Sequence, residues 1–161
     1  MQQRITPSLW FDTEAEDAAN FYTSVFKNSR IVSKAHYPDN APREAGMVMT
    51  VEWELDGQRF IGINGGPQFN FSEAVSFQIS CEDQDEVDYY WEKLTEGGEE
   101  GPCGWLKDKF GLSWQVTPSG MGELFTDPDR ERANRAMRAM LKMKKLDIDE
   151  LRRAADGAPA P

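Results

Sequence analysis

The chain has 161 residues, 39% of them hydrophobic, which is enough to fill the core of one domain or of two small halves. Its 28 acidic and 18 basic residues give a formal net charge of −10, and this charge argues against non-specific binding to nucleic acid. No apolar run reaches the roughly 18 to 20 residues that span a bilayer, and residues 1–11 lack the pattern of a secretion signal. We therefore expect a cytoplasmic protein that contacts neither membrane nor nucleic acid.

The first half of the chain predicts the element order β-α-β-β-β, from strand-like apolar runs and one stretch with apolar residues at helical spacing. The predicted elements are a strand at 5–11, a helix at 14–26 and strands at 29–37, 46–55 and 59–64. Asp56 and Gly57 are predicted to form the hairpin turn between the last two strands. We assign residues 1–66 to this first βαβββ module.

The second half of the chain repeats that element order. The predicted elements are a strand at 75–81, a helix at 83–94 and strands at 99–101, 104–107 and 112–117. The segment Asp17–Tyr22 aligns weakly with Asp85–Tyr90, and an internal repeat of this kind indicates a duplicated module. We assign residues 67–120 to the second βαβββ module.

The remaining residues have a different character. We predict a helical extension at 121–155 and a disordered tail at 156–161. Asp127 is the predicted cap of the first helix of the extension, because a proline follows it, and Asp147 is the predicted cap of a shorter second helix. Methionines lie on the apolar stripe of the first helix, where they usually fill a core or an interface.

Residues 130–145 form a basic segment. It contains seven basic residues and one acidic residue, so the rest of the chain carries a net charge of −16. The segment is either a solvated helix face or a surface that docks on an acidic body, in this chain or in a partner.

Four strings of residues are distinctive and together sample nearly the whole chain. They are ITPSLWFDTEAEDAANFY, GINGGPQFNFSEAVSFQI, CGWLKDKFGLSWQVTP and AMLKMKKLDIDEL. With the paired modules, they resemble the vicinal oxygen chelate superfamily, which includes glyoxalase I, extradiol dioxygenases and bleomycin-resistance proteins. They are most similar to its PhnB-like branch, often described as 3-demethylubiquinone-9 3-methyltransferase-like. The resemblance implies an α+β fold of paired βαβββ modules, glyoxalase-like, with C-terminal helices, and a homodimer formed through those helices or through swapped modules.

The resemblance also implies where a ligand would bind. In metal-dependent relatives four strands each supply one metal ligand, and these positions correspond here to Thr6, Ile61, Ser76 and Gln115. None of the four is a good ligand for a divalent transition metal, which prefers imidazole, thiolate or carboxylate. We therefore predict no cofactor, and a divalent metal is disfavoured. Gln115 either hydrogen-bonds a polar ligand in a pocket or satisfies backbone groups in the barrel, and a shifted placement of Ile61 would bring Asn64 into the pocket instead.

Aromatic side chains on the predicted strands can line the same pocket, because strand alternation directs some of them inward. Trp105 and Trp114 are the first choices. The complete set of pocket candidates is Thr6, Trp10, Ile61, Asn64, Ser76, Trp105, Trp114 and Gln115.

Other residues that could carry chemistry are interpreted as structural. His36, the single histidine, has no evident triad partner and is interpreted as a surface residue. Cys81 and Cys103 lack zinc-site spacing and are interpreted as reduced thiols, although Cys103 remains a candidate nucleophile. Asp108 is interpreted as the acid of a hairpin turn rather than as a general base. We see no glycine-rich strand-turn-helix that would hold S-adenosylmethionine.

Three functions stay open from the sequence. The first is a protein that binds a small molecule in a half-barrel pocket without a standard metal site. The second is a metal-dependent lyase, isomerase or dioxygenase-like enzyme that uses Gln115 with Asn64 or Asp108. The third is an interaction module whose basic C-terminal helix binds an acidic partner.

Overall fold

A computed structural model describes residues 3–159, and the chain divides into two compact units, Met1–Phe71 and Ser72–Pro161. Each unit contains one four-stranded sheet with a helix packed on one face. The mixed α+β fold with repeated βαβββ modules is therefore confirmed. The division lies in the loop in which we placed the module boundary. No helix in the described part of the chain is long and apolar enough to cross a membrane.

The first unit contains a sheet with strand order β1-β4-β3-β2. Its elements are β1 (Ser8–Phe11), α1 (Ala15–Val25), β2 (Ser29–His36), β3 (Val48–Leu55) and β4 (Gln58–Asn64). Strand β1 runs parallel to β4, and the other neighbouring strands are antiparallel. A parallel pair requires a long connection, and α1, β2 and β3 together supply it.

The core of the first unit lies between its sheet and α1. Small side chains on α1, including Ala15, allow the helix to approach the sheet closely. Trp53 is fully buried there and stacks on Phe60, with ring centroids 5.9 Å apart. Gly62 leaves room for the tryptophan, because an added Cβ would lie 2.8 Å from its ring. Burial of each large side chain contributes about 1.5–3 kcal/mol.

The second unit repeats this topology, with strand order β5-β8-β7-β6 and a parallel pair β5 and β8. Its elements are β5 (Ser76–Cys81), α2 (Gln84–Thr95), β6 (Glu99–Glu100), β7 (Trp105–Lys107) and β8 (Ser113–Pro118). Asp83 caps α2, and its carboxylate accepts a hydrogen bond from the backbone N–H of Glu86 at 2.9 Å. The repeated strand order confirms the duplication predicted from the weak sequence repeat.

The C-terminal helices are part of the second unit. They are α3 (Met121–Phe125), α4 (Arg130–Met140) and α5 (Ile148–Asp156). Leu146, in the connection before α5, is fully buried. Gln84 holds this connection from both sides: its amide N–H donates to the Leu146 carbonyl at 3.0 Å, and its amide oxygen accepts from the Ile148 N–H at 2.9 Å. The extension therefore contributes to the core of this unit.

Several predicted boundaries need correction. Strand β1 begins at Ser8 rather than at residue 5, and helix α3 was not predicted. Helix α4 is capped by Asp129, not Asp127, although Asp127 accepts a hydrogen bond from the Asp129 N–H at 2.8 Å. Asp147 caps α5 as predicted. Asp156, which we assigned to the tail, is the last residue of α5, and residues 160–161 lie outside the described residues.

Candidate ligand site

One face of the second sheet, which we call the polar face, carries mostly polar side chains. They are Ser76, Gln78, Trp105, Lys107, Ser113 and Gln115. Gln115 on β8 lies between Gln78 on β5 and Trp105 on β7 in the strand register. The alternate residues, such as Leu106 and Val116, point the other way and are buried on the side of α2. Strand alternation thus separates a packed face from a face that can meet a ligand.

Gln115 and Ser76 interact directly on the polar face. The side-chain N–H of Gln115 donates to the hydroxyl oxygen of Ser76 at 2.9 Å, and both residues are half-buried. The amide oxygen of Gln115 has no hydrogen bond within residues 3–159. It is therefore available to accept one from a ligand.

Ser113 is the neighbour of both Ser76 and Lys107 in the register. It is only 1% exposed, and its hydroxyl has no hydrogen-bond partner in the described part of the chain. A buried polar group without a partner costs about 1–3 kcal/mol, so such groups call for an explanation. A polar ligand atom placed here would offset that cost.

A cleft of about 480 Å³ lies over the β6 and β7 edge of this sheet. Its volume is within the range of small-molecule sites. Its wall includes Trp105 and Ser113, and Lys107 and Glu73 form an ion pair there with an N···O distance of 2.5 Å. The hydrogen bond between the two raises the pKa of the lysine and lowers the pKa of the carboxyl. Both side chains are partly exposed, so the pair can exchange partners at small cost.

The turn between β7 and β8 is organised by Asp108, which is 2% exposed. One carboxylate oxygen accepts from the backbone N–H groups of Phe110 and Leu112, at 2.8 and 3.1 Å. The other accepts from Nε1 of Trp114 at 2.8 Å. The interpretation of Asp108 as a turn acid is confirmed. Trp114 lies on the face packed against α2, so the structure places it away from the polar face.

Asn64, the alternative pocket residue, is buried at the end of β4. Its amide oxygen accepts from the first N–H of α1, at Ala15, with a distance of 2.9 Å, and its amide nitrogen donates to the Val48 carbonyl at 3.0 Å. It lies on the opposite face of β4 from Ile61, because the two residues are an odd number of positions apart. The structure therefore corrects the idea that a shifted Ile61 would bring Asn64 into a pocket.

The other candidates of the first unit are Thr6, Trp10 and Ile61, all half-buried. Thr6 precedes β1, and Ile61 is the register partner of Ser8. Nε1 of Trp10 donates to the Gly66 carbonyl at 2.8 Å, which anchors its ring to the loop after β4. These three residues lie in the first unit, whereas Ser76, Trp105 and Gln115 come together in the second.

The donor atoms at the four positions of the superfamily's metal site do not fit a transition metal. Ile61 has no atom that can coordinate a metal. Ser76 and Gln115 are neutral and hydrogen-bonded to each other. The alternative donors, Asn64 and Asp108, have their side-chain oxygens engaged in structural hydrogen bonds. Within residues 3–159, no group of three His, Cys, Asp or Glu side chains is close enough to hold a metal ion.

The remaining candidates have structural or surface positions. His36 is exposed at the end of β2, which confirms the surface interpretation. Cys81 is fully buried, and burial, assisted by the negative charge of Glu86, raises the pKa of its thiol to about 12. Cys103 is half-buried at the cleft, and neither cysteine forms a disulfide.

The sequence analysis missed most residues of the cleft, among them Glu73, Glu99, Glu100, Lys107 and Ser113. Side chains alternate between the two faces of a strand, and Lys107 and Ser113 lie two positions from Trp105 and Gln115. Alternation could therefore have placed all four on the same face. Nothing in the sequence indicated that Glu73, which lies in a loop, would reach Lys107.

Two sheets with the same strand order, each with its own crossover helix, define the class of paired βαβββ proteins called the vicinal oxygen chelate superfamily. A family model described as 3-demethylubiquinone-9 3-methyltransferase matches residues 3–117. The PhnB protein from Bacillus cereus is 38% identical to the chain, covers 72% of it and 99% of its own length, and superimposes with a TM-score of 0.65. The chain therefore belongs to the 3-demethylubiquinone-9 3-methyltransferase-like family of PhnB proteins.

Two further structures are similar at lower identity, and the first of them supports the fold alone. Protein PA1353 from Pseudomonas aeruginosa is 17% identical, with 73% of this chain and 98% of that chain covered and a TM-score of 0.61. The fosfomycin resistance protein FosX from Listeria monocytogenes is 15% identical, with 73% and 93% covered and a TM-score of 0.48. No curated protein sequence matches the chain significantly.

The family's description refers to a methyltransferase, whose usual cofactor is S-adenosylmethionine. In doubly wound folds a nucleotide cofactor binds at a glycine-rich turn between a strand and a helix. The connections from β1 to α1 and from β5 to α2 contain no glycine. Gly65 and Gly66, after β4, lead into a loop rather than a helix. None of these connections fits that cofactor.

Proposed function

We propose that the chain binds a small, planar and polar molecule on the polar face of its second sheet, without a transition metal at Ser76 and Gln115. The observation that carries this proposal is the set of unused polar atoms beside an aromatic ring. The amide oxygen of Gln115 and the hydroxyl of Ser113 both lack partners in the described part of the chain. Ser113 and Trp105 line the cleft, and Gln115 is the register neighbour of Trp105.

The chemistry of these groups favours binding over catalysis. Gln115, Ser76 and Ser113 are neutral at any physiological pH and supply directional hydrogen bonds rather than proton transfer. Trp105 supplies an apolar surface on which a flat molecule can stack. The site thus can orient a ligand, whereas the described residues around it contain no activated nucleophile and no histidine.

A screen of planar heterocyclic amides by thermal shift, followed by protein NMR, tests the proposal. Binders should perturb the amide signals of Trp105 and Gln115. The Gln115→Leu substitution should weaken their binding, because leucine fills a similar volume without a polar atom. Gln58→Leu, at an exposed position in the first unit, is the matched control. The proposal fails if binders map elsewhere, or if the Gln115 and Gln58 variants bind equally well.

Elemental analysis tests the alternative metalloenzyme. We expect protein purified without chelators to contain far less than one transition metal per chain. A metal near one per chain that is lost in Gln115→Ala would overturn the metal-free proposal and make Gln115 an unusual ligand.

A second proposal, supported by a separate observation, is that α4 mediates self-association. Met137 and Leu141 lie one helical turn apart and are 38% and 62% exposed, although both are apolar. We propose that these side chains contribute to a homodimer. Light scattering of a Met137→Glu/Leu141→Glu variant should then show a monomer where the parent chain shows a dimer; equal masses would refute it.

We also propose the cytoplasm as the location. Both thiols are unbonded, and Cys81 is buried in a core that leaves it no sulfur partner. Small domains of oxidising compartments usually pair their cysteines. Localisation of a fluorescent fusion checks this.

A further inference from the structure

The charge of the cleft selects among planar ligands, and this inference rests on the proposed function. Besides Lys107, the cleft wall carries three carboxylates, at Glu73, Glu99 and Glu100. A cluster of this kind attracts a ligand only if one of its charges is unused. The partners of each carboxylate therefore decide the sign of the ligand.

Two of the three carboxylates are already engaged. Glu73 pairs with Lys107, as described above. Glu100 accepts a hydrogen bond from Nε1 of Trp91 at 3.0 Å and lies 3.7 Å from the ammonium nitrogen of Lys144. An anionic ligand would have to displace Glu73 to reach the lysine.

Glu99 is different. It is exposed and pairs with Lys107 in the strand register. Its carboxylate makes no hydrogen bond and no ion pair within 4.0 Å in residues 3–159, although the ammonium group of Lys107 attracts it from a longer distance. It lies on the same face and edge of the sheet as Trp105, whose neighbour across the edge is Gly101. Gly101 contributes no side chain there, and its N–H donates to the Trp105 carbonyl oxygen at 2.8 Å.

A carboxylate without a hydrogen bond or a close ion pair, in the same cleft as an aromatic ring, can recognise an organic cation through Coulomb attraction and a cation–π contact. The buried, unpartnered hydroxyl of Ser113 in the same cleft is an independent sign that a polar ligand belongs there. We propose that the cleft binds a planar organic cation, such as an N-alkylated aromatic heterocycle, which stacks on Trp105 and pairs with Glu99.

Three bicyclic probes of similar shape test this proposal: N-methylquinolinium, quinoline and 1-naphthoate, which are cationic, neutral and anionic at pH 7. Their affinities for the full chain are measured by protein NMR at low and moderate salt. We expect the affinity to be highest for the cationic probe, lower for the neutral probe and lowest for the anionic probe. The preference for the cation should shrink as salt rises, because the pair is near the surface.

Variants assign the effect to residues. Glu99→Gln should weaken binding of the cationic probe by about two- to fivefold, the range for an exposed charge pair. It should leave the affinity for quinoline unchanged. Glu96→Gln, an exposed acid outside the cleft, is the matched control. Trp105→Leu should weaken all three probes, since it removes the stacking surface.

The outcomes separate this inference from the proposed function. If quinoline and the cation bind equally, or if naphthoate binds best, the ligand class is refuted while a pocket on the polar face stands. If none of the probes binds, or if Trp105→Leu changes nothing, both this inference and the proposed function are refuted for such molecules.

Discussion

Removal of the Asp108 carboxylate should destabilise the protein strongly, because this side chain satisfies three donors in the turn that carries the polar face. In Asp108→Ala, Nε1 of Trp114 and the N–H of Leu112 would lose their acceptor, and both residues are only 3% exposed. Each buried donor left without a partner costs about 1–3 kcal/mol. The third donor, at Phe110, is half-buried and can turn to water. We expect a total loss of about 3–5 kcal/mol.

The assay is urea unfolding followed by tryptophan fluorescence and circular dichroism. Asp108→Asn keeps one acceptor oxygen but turns an amide nitrogen towards one of the donors, so it should lose roughly half as much. Trp114→Phe combined with Asp108→Ala in a double-mutant cycle isolates the indole hydrogen bond, with an expected coupling of about 1–2 kcal/mol. Asp85→Ala, at an exposed acid on α2, serves as the control.

The same measurement decides against a catalytic interpretation of this residue. A residue kept for catalysis or metal binding usually lowers the stability of the fold. Its replacement therefore leaves the protein equally stable or more stable. A loss below about 1 kcal/mol in Asp108→Ala would therefore refute our reasoning and reopen the enzyme hypothesis.

Three further predictions concern the second unit. Gly98→Ala should lower the free energy of unfolding by about 1–3 kcal/mol, because the new Cβ would lie 2.2 Å from a backbone carbonyl oxygen. Gly120→Ala, with open space around it, should change the stability little, and urea unfolding compares the two variants. Leu146→Ala should cost about 2–5 kcal/mol and Val75→Ala, at an exposed position, less than about 0.5 kcal/mol, measured in the same way. Since burial raises the pKa of Cys81 from 9.0 to about 12, the folded state holds this proton more tightly. The free energy of unfolding should therefore fall as the pH rises from 9.0 towards 12, and Cys81→Ala should lose that part of the fall.

The order of elements could be predicted because it depends on local signals. Period-2 and helical apolar spacing, the Asp56-Gly57 turn and the Asp147 cap are each encoded within a few residues, and each was correct. The errors occur where more than one residue has the right chemistry for a position. The cap of α4 depends on how Asp127 and Asp129 share their hydrogen bonds, and both had the right chemistry for the position.

The candidate site was predicted only in part, for the same reason. The strand positions of Ser76, Trp105 and Gln115 follow from alternation, and the structure brings the three onto one face. Asn64 and Trp114 were misplaced because the candidate list did not apply alternation within each strand: each lies an odd number of positions from Ile61 or Gln115 and so on the opposite face. The sequence showed amides and rings suited to a pocket but not which of them already serve the core.

The duplicated topology allows the proposed ligand position to be compared between the two units. Phe11 pairs with the last residue of β4, and Cys81 pairs with the last residue of β8, so the two sheets can be aligned strand end to strand end. In that alignment Ile61 and Gln115 occupy the same position. One copy of the module has an apolar side chain there, and the other has an amide. The nitrogen of that amide donates a hydrogen bond to Ser76, and its oxygen accepts none within residues 3–159. The two copies thus differ at this position by an apolar side chain in place of an amide, and the Gln115→Leu variant proposed above tests whether that difference matters for ligand binding.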